Sequence, residues 1–215
     1  PPKEVRQDWW IIQEIAKRMG LGWDYKSPKD IFDEMKLVMP SLDNISWERL
    51  EKDNHVTYPV KSELIPGEDI IFTNGFPTSN NLAKIIPVNL INPNDELNSD
   101  FPLILSTGRL LEHWHTGTMT RRALVLNELE PDPMIFMNKV DSNFYNLNLN
   151  KSVIIETRRG KISIKIRHDD DLLPGMIFLP FCFKEAAANI LTNSDLDPIG
   201  KIPELKFSAA RVYQN

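Results

Sequence analysis

The stretch FPLILSTGRLLEHWHTGTMTRR, residues 101–122, divides the sequence into two textures. Its opening, Phe101–Thr107, is a mostly apolar run that stops at Gly108, as a buried strand stops at a turn. Downstream, short strand-like runs follow one another. Met134–Asn138 is one. Ser152–Thr157 and Lys161–Arg167 alternate apolar and polar around Arg158-Arg159-Gly160, a hairpin signal that puts Ile162, Ile164 and Ile166 on one face. Leu173-Pro174-Gly175 turns the chain into Met176–Phe181, Lys184–Leu191 reads as a helix, and Phe207–Tyr213 closes the set. About six strands with one or two helices predict a closed or nearly closed barrel, because closure removes exposed sheet edges.

Upstream of residue 101 the pattern is helical and then irregular. Val5, Trp9, Ile12, Ala16 and Met19 recur at three- and four-residue spacing, which predicts a helix over 8–19 ended by Gly20. Ser27 and Asp30 have capping-box spacing with Pro28 in the first turn, so a second helix is expected to Val38, before Pro40. A short third is expected over Trp47–Lys52. From residue 53 to 100 the chain is rich in Pro, Asn, Asp and Gly and has little periodicity. The division expected is therefore a helical segment (1–60), a linker or long loop (61–100) and a barrel (101–215).

Composition bounds the chemistry. A chain of 215 residues buries about 70% of its unfolded surface and needs no disulfide or metal to fold. The lone Cys182 forms no internal disulfide, and by itself it holds neither an iron–sulfur cluster nor a thiolate zinc site. Net charge is −5, split as −6 over residues 1–100 and +1 over 101–215. That leaves no basic stripe for nucleic acid, and no apolar run approaches a membrane span. The start, Pro1-Pro2-Lys3-Glu4, lacks both a signal-peptide core and an initiator methionine, so a processed chain or a piece of a longer one is expected.

Functional residue types concentrate in Ser106–Arg122. Gly108 and Gly117 let backbone amides approach a ligand, the arginines offer forked donors to phosphate, and the hydroxyls add adaptable hydrogen bonds. The pattern is neither a G-x-G-x-x-G fingerprint nor a P-loop. His113-x-His115 has the spacing of a metal pair, but nothing places further soft ligands nearby, and no protein-held metal is expected. Arg121-Arg122 alone would read as a solvated pair, and Asp169-Asp170-Asp171 as a solvated loop. Cys182, within FLPFCF, reads as a buried, inert thiol. In the second cluster, Phe181–Lys206, Asn189 is an unfavourable residue for a short helix; there it caps, bonds a neighbouring loop or faces a ligand.

Two stretches, FPLILSTGRLLEHWHTGTMTRR (101–122) and LPFCFKEAAANILTNSDLDPIGKIPELKFSAARV (179–212), together resemble the C-terminal domain of the molybdopterin oxidoreductases, the family of formate dehydrogenases and nitrate reductases. A fainter likeness, from DWWIIQEIAKRMG through SWERLEKDNHVTYPV, is to the end of the preceding domain in formate dehydrogenase large subunits. The resemblance implies a mainly β fold with some α, a double-psi β-barrel, closing over bis(molybdopterin guanine dinucleotide) with molybdenum or tungsten. The segment Thr107, Gly108, Arg109, Leu110, Leu111, Glu112, His113, Trp114, His115 and Thr116 matches the one that wraps the pterin and its diphosphate. Asn189 and Lys206 match further cofactor contacts, and Phe181 a residue of the substrate funnel.

The departures from the family pattern are informative. The metal-binding Cys or selenocysteine and the Cys-rich cluster site of the parent enzymes belong to earlier parts of such subunits, so no catalytic or metal-ligating residue is assigned here. Cys182 stands where related formate dehydrogenases often have histidine, and the metal ligand is not carried onto it. What the resemblance implies is the cofactor-binding portion of a molybdenum- or tungsten-dependent formate dehydrogenase, an oxidoreductase, inactive as this chain alone. Its expected partners are the rest of the large subunit and electron-transfer subunits, in the cytoplasm. The alternatives are the corresponding domain of a nitrate reductase and a non-catalytic, free-standing pterin-binding module.

Overall fold

A computed structural model describes residues 3–214; Pro1, Pro2 and Asn215, the ends of the ranges expected above, lie outside them. The chain divides into two compact units, Pro1–Pro87 and Val88–Asn215.

The first unit is helical and then irregular. Helix α1 is Asp8–Arg18, α2 is Pro28–Val38 and α3 is Trp47–Asp53. The acid of the capping box works as its spacing predicts: the Asp30 carboxylate accepts from the amides of Ser27 (3.1 Å) and Lys26 (2.6 Å). Ser46 caps α3 by accepting from the Arg49 amide at 3.1 Å. On α1 the apolar stripe is buried only in part, at Ala16. Ala16 and Gln13 are buried, whereas Ile12 and Met19 are 56% and 75% exposed. The Gln13 amide replaces apolar packing there, donating to the Tyr25 carbonyl (3.1 Å) and accepting from the Tyr25 amide (2.6 Å).

The second unit is built on six strands: β1 (Leu103–Gly108), β2 (Met134–Met137), β3 (Val153–Thr157), β4 (Lys161–His168), β5 (Met176–Pro180) and β6 (Ser208–Tyr213). They close in the order β1-β5-β2-β4-β3-β6. Two of the six contacts, β1 with β5 and β2 with β4, are parallel; the rest are antiparallel. Register follows the pleat: Val153 faces Ile164, Ile155 faces Ile162, and Leu105 faces Ile177. Their side chains, with Leu103, Ile135, Met137, Ile166, Leu179, Ala210 and Val212, fill the barrel. At roughly 1.5–3 kcal/mol per buried aliphatic side chain, this interior dominates the unit's stability.

Three features differ from expectation. Lys184–Leu191 is not one helix but two 3-10 turns, Lys184–Ala186 and Ala188–Ile190, broken at an extended Ala187 (ψ 110°). Packing overrides alanine propensity here: Phe183, Ala186, Ala188 and Leu191 are all buried at the barrel, and the Leu191 carbonyl accepts from the Thr157 hydroxyl at 2.9 Å. Helices α4 (Leu124–Leu129) and α5 (Lys139–Phe144) are additional. Asn138, read as a strand end, instead caps α5 by accepting from the Val140 amide at 2.8 Å. Finally, Asp95, in the stretch read as a loop, is 3% exposed. It is ion-paired with both Arg158 and Arg159 of the β3–β4 turn and accepts from the Ala209 amide at 2.8 Å. Among the described residues, no helix is long and apolar enough to cross a membrane.

Candidate functional site

At the end of β1 the chain leaves the barrel, and two distant segments come back to meet it. Gly108 is required there: a Cβ would lie 2.4 Å from the Phe178 ring. Its carbonyl accepts from the Phe181 amide at 3.1 Å, which extends the β1–β5 pairing past the strand ends. Thr107 is buried, its hydroxyl donating to the Leu205 carbonyl at 2.7 Å and its own carbonyl accepting from Lys206 Nζ at 2.5 Å. The 205–206 segment is thereby fastened to the strand end.

The space enclosed is a cleft of about 440 Å³ that gathers Thr107, His115, Thr116, Phe181, Asn189 and Lys206. Phe183, Lys184, Ala187, Ala188 and Leu205 complete it. The walls are largely apolar with a few converging polar groups, the usual character of a small-molecule site. His115 enters through a left-handed backbone (φ 51°) and stands edge-on to Phe181 with centroids 5.3 Å apart. Asn189 is exposed on the second 3-10 turn, and its side chain has no hydrogen-bond partner among the described residues. A planar, amide-bearing ring fits this donor set: aromatic and alanine walls for its faces, Asn189 for its edge, Lys206 for negative charge.

The other expected residues are placed differently. Arg109 is exposed, with no hydrogen bond to the described residues. Leu111 and Trp114 are 96% and 64% exposed, and Leu110 and Glu112 are half-buried. None of these lines the cleft. His113 points away from it, 1% exposed, with both ring nitrogens bonded to protein atoms.

A second, smaller and more polar cleft of about 390 Å³ shares Thr116 and Lys184 with the first and adds Arg121 and Arg122. Arg121 is not a solvated residue. It bonds Glu185 at 2.6 Å and lies over the Phe183 ring at 4.8 Å, joining the two loops. Glu185 is held below the usual carboxylate range, first by a backbone amide and then by Arg121. Burial pushes the Cys182 thiol up to about 11, which fits the inert reading.

Phe183, Lys184, Ala187, Ala188 and Leu205 also line the cleft and are not singled out by the sequence. They lie within the cluster Phe181–Lys206, where no chemical pattern separates them from ordinary loop positions.

A model of the molydopterin dinucleotide binding domain family matches residues 103–209. The chain is 38% identical over 214 residues to the F420-dependent formate dehydrogenase subunit alpha of Methanocaldococcus jannaschii, spanning 99% of this chain and 32% of that protein. It is 29% identical over 215 residues to formate dehydrogenase H of Escherichia coli, spanning 99% of this chain and 30% of that one. Among solved structures, acetylene hydratase from Pelobacter acetylenicus superposes with a TM-score of 0.64 at 20% identity, over 100% of this chain and 34% of the other. That last likeness shows the fold alone. The chain spans about a third of the length of the relatives it matches.

Proposed function

The barrel of this chain, residues 103–209, belongs to the molydopterin dinucleotide binding domain family, and from that premise we propose that the chain is the cofactor-binding portion of a formate dehydrogenase catalytic subunit. The observation that carries the site is the meeting of three segments far apart in sequence, 107–116, 181–189 and 205–206, around one apolar cleft with converging polar groups. The substrate assignment draws on the relatives named formate dehydrogenase. The helical segment 1–60 is read as the end of the preceding domain, and residues 61–100 as the connection.

In this reading Phe181, Phe183 and Ala188 shield the flat faces of a pterin, and Asn189 bonds its amide-like edge. Lys206 meets the negative charge of the diphosphate of a guanine dinucleotide at the cleft, Arg109, which lies outside the cleft, meets the part of that ligand extending beyond it, and Thr116 offers it a hydroxyl. Phe181, at the mouth beside His115, borders the substrate funnel. The cofactor, when bound, supplies a molybdenum or tungsten centre that takes up the two electrons of formate oxidation to carbon dioxide. This chain's residues hold, orient and keep water from that group. The reacting centre's metal ligand and any iron–sulfur cluster belong to other parts of the large subunit, and electron-transfer subunits, in the cytoplasm, receive the electrons.

Two measurements on the full-length subunit test this. Arg109→Ala and Asn189→Ala should each weaken pterin retention about tenfold or more, as expected for a lost hydrogen bond to a charged or buried group; unchanged pterin and metal content refutes the cofactor site. Turnover should be seen with formate, and nitrate reduction without formate oxidation overturns the substrate.

A further inference from the structure

We propose that His113 is a positioning residue for this cleft, acting through Thr120 and the Trp114 amide and not by touching the cofactor. The inference rests on the cofactor reading above. The His113 ring is 1% exposed, with Nε2 2.7 Å from the Glu130 carbonyl oxygen and Nδ1 3.3 Å from Thr120 Oγ1. A carbonyl only accepts, so Nε2–H is the donor to Glu130. The Thr120 hydroxyl, hydrogen-bonded to Nδ1, also accepts from the Trp114 amide at 2.9 Å. A buried hydrogen-bonded chain therefore runs from the Glu130 carbonyl through the imidazole and the Thr120 hydroxyl to the Trp114 amide.

Both ends of the chain are anchored. The Glu130 carboxylate is held bidentately by Arg167 of β4, at 2.7 and 2.9 Å. The His113 ring stands edge-on to Phe183, with centroids 5.6 Å apart and an interplanar angle of 87°, and Phe183 lines the cleft. Immediately after Trp114 come His115, in its left-handed conformation, and Thr116, both facing the cleft. The imidazole thus ties the loop wall of the cleft to a barrel strand on one side and to the opposite aromatic wall on the other. A buried hydrogen-bonded chain of this kind fixes position because breaking any link strands a polar group away from water.

The test uses the full-length holoenzyme with three variants. Thr120→Val removes the hydroxyl at nearly constant volume, Thr120→Ser restores it, and His113→Gln keeps a donor toward Glu130 without the ring acceptor. Thr120→Val and His113→Gln should release pterin about tenfold faster, the effect of one stranded buried group, and should speed hydrogen exchange at the Trp114 amide. Thr120→Ser should return both readouts to the parent value, together with whatever thermal midpoint Thr120→Val loses. If only His113→Gln loses pterin, the ring touches the cofactor and the proposal falls. A drop in thermal midpoint that Thr120→Ser leaves unrepaired marks a merely structural residue and also overturns it. Arg109→Ala and Asn189→Ala serve as references. Pterin lost by them but kept by Thr120→Val refutes the positioning role alone; pterin kept by all refutes the cofactor reading and this role with it.

Discussion

At the scale of single residues, identity and environment diverge most sharply within the segment 107–116. His113 and His115 are two apart and chemically the same, yet one is sealed against Glu130 and Thr120 and the other faces the cleft. What separates them is the left-handed backbone at His115, followed by Gly117 at φ 74°, a local path that no composition rule reveals. Gly117 is irreplaceable on two counts: its φ, and a Cβ that would lie 2.6 Å from the Cys182 carbonyl oxygen. Gly117→Ala should destabilise the barrel unit by about 1–3 kcal/mol, read as a lowered urea midpoint. Cys182 was legible beforehand, because an apolar flank predicts burial. With its thiol pushed up to about 11, it should resist alkylation near neutral pH and react once urea unfolds the chain; fast reaction of the native protein would contradict its burial.

At the scale of elements, alternation was enough. Ile162, Ile164 and Ile166 were expected on one face and are all buried, between exposed Lys161, Ser163 and Lys165. Ile164→Ala should cost about 2–5 kcal/mol, and Lys165→Ala next to it almost nothing, measured by chemical denaturation. Alanine-rich composition predicts a helix over 184–191, whereas the buried Ala186, Ala188 and Leu191 and the bonded Leu191 carbonyl go with two 3-10 turns. Glu185 in this segment makes a pH-dependent contribution. Its folded value is lowered below the ordinary 4.5 by a backbone amide and Arg121. The stability it adds is therefore fully present above pH 4.5 and lost as pH falls through the lowered value. Glu185→Gln should flatten that part of the acid limb, seen by following the denaturation midpoint from about pH 6 to about pH 3.

At the scale of the whole molecule, one buried carboxylate gathers distant parts of the barrel unit. Asp95 lies more than sixty positions from Arg158 and Arg159, in a stretch without periodicity, and nothing in its neighbourhood marks it as special. Folded, its side chain is 1% exposed and collects both arginines of the β3–β4 turn and the Ala209 amide of β6. Asp95→Ala should cost about 1–3 kcal/mol, chiefly because it leaves the buried Ala209 amide without its acceptor, the two arginines being partly solvated. Asp100→Ala, a short way along the same stretch and exposed, serves as the control with little effect on the melting temperature.

By itself the sequence determined the strand-like runs, the inward face of Ile162, Ile164 and Ile166 and the helix starting at Ser27-Pro28, and it singled out Ser106–Arg122 and Phe181–Lys206 as candidate segments. Those features rest on local periodicity and capping, which act over a few residues. Only the tertiary structure decided which members of those segments meet in the cleft, which histidine turns inward, and that Arg121 and Asp95 bind distant partners. Each of these depends on contacts between residues tens of positions apart. Their direction is set by strand pairing and backbone handedness, and neither is written in the spacing of the residues concerned.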